Sequence, residues 1–274
     1  MSLTRRRTAA ALLALPLALG ATPALAAGGR GGPRRRTLHI AGDSTAARKY
    51  ADAAPETGWG MALPFFLGRS LTVANHAMNG RSSKSFIDEG RLTALLEGVR
   101  PGDLVLVQFG HNDEKTEDPT RGTDPYTTYQ DCLRRYIDGA RARRATPVLL
   151  TPVERRRFAA DGTARATHGE YPAAMRALAA EEQVALLDTQ ALSLARWQEL
   201  GPDGTLAYFN WLEPGESPNY PDGKQDNTHF APKGAIEVAR TVARALLDGR
   251  VLAPRDLRRL DDPVPETWIT WPQA

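Results

Sequence analysis

The 274-residue chain has almost no cysteine, since Cys132 is its only one. A single thiol cannot form a disulfide within the chain, which excludes the small disulfide-stabilised folds and leaves the hydrophobic core to supply the stability. Roughly 235 residues follow the N-terminal segment, and a chain of that size buries about 70% or more of the surface that it exposes when unfolded. We therefore expect one domain with a sizeable core, in which Cys132 is a small packed side chain of a helix.

The chain also lacks an excess of one charge sign outside its N-terminal region. It has 35 basic and 32 acidic residues, but residues 1–26 contain three of the basic residues and none of the acidic ones. Further arginines, Arg30 and Arg34–Arg36, lie in a glycine-rich leader, so the remainder of the chain is slightly acidic. The basic balance is thus a property of the N-terminal region, and the composition predicts no nucleic-acid partner.

Long hydrophobic runs are absent after residue 37, and the run before it is typical of a signal peptide. Arg5–Arg7 precede an apolar run that ends in the small-x-small motif Ala24–Ala26. The run is too short and too interrupted by proline for a membrane anchor. We predict a signal peptide over residues 1–26, a flexible basic leader over 27–36 and one domain over 37–274. The protein is then secreted without membrane association; the general secretory route is favoured, with the twin-arginine route left open by Arg5–Arg7.

Short apolar segments alternate with helical patterns along the rest of the chain. The predicted strands are Thr37–Ala41, Leu71–Asn75, Asp103–Phe109, Thr146–Thr151 and Val184–Asp188. The predicted helices are Trp59–Leu67, Ser83–Leu96, Tyr126–Arg144, Tyr171–Glu182 and Pro232–Asp248. Continuous apolar strands that alternate with helices indicate a parallel sheet covered on both faces. We predict a three-layer α/β/α fold with a five-stranded parallel sheet, in which ligands bind at the carboxyl ends of the strands.

Polar clusters follow three of these strands, and a fourth precedes the last helix. They are Gly42–Thr45, Met78–Ser82, Gly110–Asp113 and Asp226–His229. Each cluster alone has an ordinary structural explanation, such as a turn in which Ser44 caps the next helix. The Gly-x-Ser-x-Gly motif of another large hydrolase fold is absent, so a nucleophilic serine in this chain would belong to a different scaffold.

Together the four clusters contain the groups that acyl transfer requires. A serine nucleophile needs a base within hydrogen-bond reach, and the base needs a carboxylate that fixes its tautomer. An Asp-x-x-His segment can supply both. The charge that develops on a carbonyl oxygen needs donors already directed at it, such as a serine N–H, a loop-glycine N–H and an asparagine amide.

The four clusters, in this order, resemble those of the SGNH hydrolases, also called GDSL hydrolases. The resemblance covers nearly the whole chain after the leader and implies a flavodoxin-like sheet. Two segments, Gln108–Asp113 and Asn210–Phe230, are similar to those of the rhamnogalacturonan acetylesterase branch of that family.

Residue by residue, the resemblance implies a catalytic triad and an oxyanion hole. Ser44 would be the nucleophile, His229 the base and Asp226 the carboxylate that orients the base. The oxyanion hole would consist of the backbone N–H groups of Ser44 and Gly80 and the side chain of Asn112.

From this resemblance we expect a secreted serine esterase that removes O-acetyl groups from a polysaccharide, first of all acetylated rhamnogalacturonan in pectin, through an acetyl-enzyme. It would act as a monomer without a cofactor. Alternatives are an acetylesterase for another plant glycan such as xylan, a GDSL-type lipase or thioesterase, and an inactive glycan-binding module. A lipase would need an apolar patch or lid, whereas the loop predicted at 201–227 is polar and aromatic.

His111, Trp211 and Tyr220 are candidates for contact with the substrate. His111 neighbours the oxyanion-hole asparagine, and a packing role is its alternative. Trp211 and Tyr220 lie in the loop predicted at 201–227, where aromatic rings can stack on sugars or hold the loop against the domain. His168 follows a polar stretch and is expected at the surface.

No metal ion is expected at the site. Asp113, Asp222, Asp226 and His229 are residue types that bind metals, but their spacing matches neither a zinc signature nor a twelve-residue calcium loop. A cation that ties together the segment from Asp222 to Asp226 remains an alternative.

Overall fold

The computed structural model describes residues 35–274. The predicted signal peptide and the leader up to Arg34 lie outside these residues. Within this part of the chain, no helix combines the length and the apolar character that crossing a membrane requires.

Five parallel strands form the central sheet, as the sequence predicts. They are β1 (Arg36–Gly42), β2 (Leu71–Asn75), β3 (Leu104–Gln108), β4 (Thr146–Leu150) and β5 (Ala185–Leu187). Their order across the sheet is β2-β1-β3-β4-β5. The chain therefore moves to one side of β1 and then to the other, and this change of direction opens a crevice where β1 and β3 end, at Gly42 and Gln108.

Helices cover both faces of the sheet. They are α1 (Trp59–Ala62), α2 (Ser83–Asp88), α3 (Arg91–Gly98), α4 (Thr128–Ala142), α5 (Tyr171–Glu181), α6 (Thr189–Gly204) and α7 (Pro232–Asp248). Leu106 of β3 packs in one core with Trp59 and Val242, whereas Val107 packs in the other core with Leu133. Neighbouring residues of a strand point to opposite faces, so β3 is buried on both. The predicted three-layer α/β/α fold is confirmed.

The last helix, α7, shows why a strong pattern is predictable. Pro232 occupies the first turn, where its missing N–H costs nothing, and Gly249 follows the last turn. The apolar stripe that runs from Ala235 to Leu246 is buried. Each of its larger aliphatic side chains contributes about 1.5–3 kcal/mol of burial free energy, which makes the buried face of α7 unambiguous.

Two of the predicted helices are interrupted. The helix predicted at Ser83–Leu96 is broken between α2 and α3 by Gly90, whose φ of 74° is left-handed. The helix predicted at Trp59–Leu67 shortens to α1 and continues as a 3-10 turn over Leu63–Phe66. Pro64 explains this change, because it has no N–H with which to continue the α-helical hydrogen bonds.

The prediction of a long loop over residues 201–227 is wrong. This part of the chain forms the end of α6, a 3-10 turn and an antiparallel hairpin of β6 (Phe209–Leu212) and β7 (Lys224–Phe230). Its glycine and proline residues are concentrated in the α6 end and in the connection between the two strands. The helix α6 was not predicted, because its buried face consists of Thr189, Ser193 and Trp197 and has no apolar stripe.

Candidate active site

Ser44 lies in the turn that follows β1, at the crevice between β1 and β3. The neighbouring Asp43 makes the capping bonds of this turn. Its Oδ1 accepts hydrogen bonds from the N–H of Thr45 at 2.9 Å and from the Thr45 hydroxyl at 2.7 Å, and its carbonyl accepts from Ala46 and Ala47. The hydroxyl of Ser44 takes no part in capping and is free for another contact.

That contact is with His229. Ser44 Oγ lies 2.8 Å from His229 Nε2, and Asp226 Oδ2 lies 2.7 Å from His229 Nδ1. Because an ionised carboxylate can only accept, Nδ1 carries the proton and Nε2 is left to accept one from the hydroxyl. Ser44 is 9% exposed and the His229 side chain is 27% exposed, so both can be reached from solvent.

Asp226 is held in place by β7, a strand rather than the predicted loop. Its Oδ1 accepts hydrogen bonds from the N–H groups of Thr228 at 2.8 Å and His229 at 2.9 Å. Burial raises the pKa of Asp226, but the hydrogen bonds and the charge of His229 outweigh burial and hold the pKa below its usual value. The carboxylate is therefore ionised at neutral pH and keeps the His229 ring in one tautomer.

Three hydrogen-bond donors are available at the ends of β1, β2 and β3. Within residues 35–274, the N–H groups of Ser44 and Gly80 donate to no other residue. Gly80 has a φ of 75°, a conformation that favours glycine. The Asn112 amide is fixed by two bonds of 3.0 Å, one to the carbonyl of Arg81 and one from Lys115, and its second N–H donates to none of the described residues.

Behind Asp226 lies a row of charges that alternate in sign. Lys224 Nζ lies 3.5 Å from Asp226 Oδ2 and 3.0 Å from Glu56 Oε2. Lys49 Nζ lies 2.7 Å from the other oxygen of Glu56, and both of these residues are buried. Burial raises the pKa of Glu56, yet Lys49 and His229 lower it more, so the pKa lies below its usual value. Sequence reasoning missed this row, because no local pattern relates Lys49 and Glu56 to a hairpin far along the chain.

The same row bears on metal binding. The side-chain atoms of Glu56, Asp226 and His229 lie within 4.8 Å of one another, and no other such group occurs among the described residues. Lys224 already acts as the counter-ion of both carboxylates, and His229 is paired with Asp226 and Ser44. The charges of this cluster are therefore balanced by the protein's own side chains.

His111 and His168 are both buried. His111 is 4% exposed, and its Nδ1 lies 3.2 Å from Asp43 Oδ2. Burial lowers the pKa of His111 to about 4, so the ring is neutral at neutral pH. His168 was expected at the surface but is 1% exposed, because its ring bridges Glu114 and the carbonyl of Val153. This geometry favours the packing alternative for His111, whose ring supports the Ser44 turn through Asp43.

Trp211 and Tyr220 hold the hairpin against the rest of the domain. Trp211 Nε1 donates to the side chain of Asn227 at 3.1 Å, and the Arg156 guanidinium lies 4.8 Å from a Trp211 ring centroid. The Tyr220 hydroxyl donates to the carbonyl of Ala53 at 3.3 Å, and the Lys224 ammonium lies 4.4 Å from the centre of the Tyr220 ring. Both rings are partly exposed, but each already has a structural partner.

Comparisons with known proteins show the family to which the chain belongs. A model of the GDSL-like lipase/acylhydrolase family matches residues 40–235. The rhamnogalacturonan acetylesterase RhgT of Bacillus subtilis is 45% identical over 209 residues, which cover 76% of this chain and 88% of that protein.

Solved structures extend the comparison. The crystal structure of the protein YxiM from Bacillus subtilis is 28% identical with a TM-score of 0.68, and the match covers 79% of this chain and 57% of that one. Axe2, an acetylxylan esterase from Geobacillus stearothermophilus, shares the fold at 17% identity with a TM-score of 0.54, over 80% of this chain and 96% of that one. The chain is thus a carboxylic-ester hydrolase that belongs to the GDSL-like lipase/acylhydrolase family.

Proposed function

We propose that the chain is an exported carbohydrate acetylesterase that removes O-acetyl groups from acetylated rhamnogalacturonan. The observation that carries the proposal is the line of hydrogen bonds from Ser44 through His229 to Asp226, at 2.8 and 2.7 Å. A serine hydroxyl in this arrangement is activated for acyl transfer. The 45% identity with RhgT supports the pectic substrate.

In the first half-reaction, Ser44 Oγ attacks the carbonyl carbon of the acetyl group while His229 Nε2 takes the hydroxyl proton. The ion pair with Asp226 stabilises the imidazolium that forms. When the tetrahedral intermediate collapses, the bond to the sugar oxygen breaks, and that oxygen takes the proton from His229. The products are the free sugar hydroxyl and an acetyl group bonded to Ser44.

In the second half-reaction, water replaces the sugar. His229 removes a proton from the water as it attacks the acetyl-enzyme, and Ser44 Oγ recovers the proton when acetate leaves. All three groups come from one chain, which supports the proposal that a monomer suffices.

The oxyanion of both intermediates would be bound by the N–H groups of Ser44 and Gly80 and by the free N–H of Asn112. These donors are fixed before the substrate arrives, so they need no reorganisation in the transition state. Removal of one such donor typically costs about 2.7–4 kcal/mol of transition-state stabilisation.

The substrate is tested by the release of acetate from a panel of acetylated rhamnogalacturonan, xylan, glucomannan and chitin, together with long-chain p-nitrophenyl esters. We expect the highest kcat/KM on rhamnogalacturonan. Preference for xylan would replace the proposed substrate with another glycan. Preference for long acyl chains would indicate a lipid-type ester as the substrate, an activity that the family's description as lipase/acylhydrolase includes.

Export is tested separately, by expression of the full chain in a bacterial host with N-terminal sequencing of the protein in the medium. We propose cleavage after Ala26, at the end of the small-x-small motif. An uncleaved protein that remains in the cytoplasm would contradict export and leave the esterase activity untouched.

A further inference from the structure

A cavity of about 540 Å³ lies beside the proposed active site, and the mechanism above does not use it. Its walls include residues 47–50 after β1 and residues 75–79 at the end of β2. Asn79 lines the cavity and directly precedes Gly80, and the N–H of Met78 donates to the carbonyl of Gly42 at 3.0 Å. The cavity therefore adjoins the turn that carries Ser44, and its volume lies within the range of small-ligand sites.

One cation of this cavity has no partner among the described residues. Arg48 is exposed, and within residues 35–274 it forms no hydrogen bond or ion pair. The other cations are neutralised: Lys49 by Glu56 at 2.7 Å and Arg91 by Glu89 at 2.5 Å. The guanidinium of Arg48 thus keeps all its donors for a ligand, and its planar fork matches a carboxylate.

Two large apolar side chains are exposed in the same cavity. Tyr50 is 40% exposed and Met78 is 36% exposed, among the highest values for large hydrophobic residues in the described chain. An aromatic ring with a free face is suited to the apolar face of a sugar ring, while its hydroxyl stays in water. A cation and an aromatic ring that line the same cavity are complementary to a sugar that carries a carboxylate.

We propose that this cavity is a subsite for a uronate sugar of the polysaccharide, with the uronate carboxylate on Arg48 and the sugar ring against Tyr50. The proposal deepens the proposed function, on which it rests for the choice of an acidic polysaccharide as substrate. Asp52 also lines the cavity. Its negative charge weakens the binding of an anion. The affinity of the subsite for a uronate therefore depends on the attraction by Arg48 minus the repulsion by Asp52.

The experiment measures how trigalacturonate and the neutral sugar xylotriose inhibit hydrolysis of p-nitrophenyl acetate by the full chain. Arg48→Gln is expected to raise the inhibition constant of trigalacturonate about two- to fivefold, the range for a single exposed ion pair. Asp52→Asn is expected to lower the same constant, because it removes the opposing charge. Arg143→Gln is the matched control, since Arg143 is exposed at the end of α4, before β4 begins, at the opposite edge of the sheet.

Trigalacturonate inhibition that is absent in the wild type, or equal in Arg48→Gln and the wild type, would overturn the subsite. An equal loss of xylotriose binding in Arg48→Gln would also overturn it, because charge would then not be what the cavity recognises. The proposed function fails by a different result, namely no acetate release from rhamnogalacturonan by the wild type. The two failures are distinguishable, because inhibition of p-nitrophenyl acetate hydrolysis does not depend on the natural substrate.

Discussion

Lys224 and Glu56 form an ion pair of 3.0 Å directly behind the proposed catalytic carboxylate. Lys224 also lies 3.5 Å from Asp226, and Glu56 lies close enough to His229 for its charge to interact with the imidazole. The charged groups that face His229 are thus Asp226, Glu56 and Lys224, with Lys49 behind them. Neutralising Glu56 makes the net charge around His229 more positive, whereas neutralising Lys224 makes it more negative.

Glu56→Gln removes a negative charge near His229. The imidazolium form becomes less stable, so the acidic limb of the pH profile of kcat/KM should move to lower pH. The imidazolium also forms in the transition state, so the plateau value of kcat/KM should fall. An acidic limb that stays in place would show that Glu56 acts only in packing.

Lys224→Met removes a positive charge and leaves the pair of Lys49 and Glu56 intact. The acidic limb should move to higher pH, opposite to the shift in Glu56→Gln. Loss of structure alone does not move the two variants in opposite directions. Shifts of the same sign in both variants would contradict the electrostatic account of this row of charges.

Asn112→Ala removes a side-chain donor of the proposed oxyanion hole. Kcat on p-nitrophenyl acetate should fall about 100- to 1000-fold with little change in KM, because the hydrogen bond strengthens only in the transition state. Lys115→Met is the matched control: it frees the oxygen of the Asn112 amide but leaves the N–H donors, so its loss should be much smaller. Comparable losses in both variants would remove Asn112 from the oxyanion hole.

His111 should make the folded protein sensitive to mild acid. Its folded-state pKa of about 4 lies below the ordinary value of 6.5, so between these values the unfolded chain binds a proton that the folded chain does not. The free energy of unfolding should therefore fall as the pH drops from 6.5 to 4, with a total loss of about 3 kcal/mol from this residue. His111→Gln should flatten that slope in urea titrations at several pH values. An unchanged slope would assign the acid sensitivity to other groups.

The elements that sequence reasoning found are those whose signal is local. The apolar stripe of α7 and the buried strands are repeated patterns, and Asp226 and His229 are three residues apart. The helix α6 has no such pattern, since its buried face includes Thr189 and Ser193.

Long-range contacts explain the other differences. Glu56 and Lys224 meet only because the β6–β7 hairpin folds back over the segment after β1. No sequence pattern in either segment predicts this contact. His168 was expected at the surface for the same reason, since its partly buried partner Glu114 is distant in sequence. In the sequence, polar residues that are buried in long-range pairs cannot be distinguished from polar residues at the surface.

Active-site labelling shows whether Ser44 is the nucleophile. A fluorophosphonate probe followed by peptide mapping should place a single label on Ser44, and the label should be lost in a folded Ser44→Ala variant that also no longer releases acetate from p-nitrophenyl acetate. Labelling of a different residue, or wild-type turnover by Ser44→Ala, would show that Ser44 is not the nucleophile.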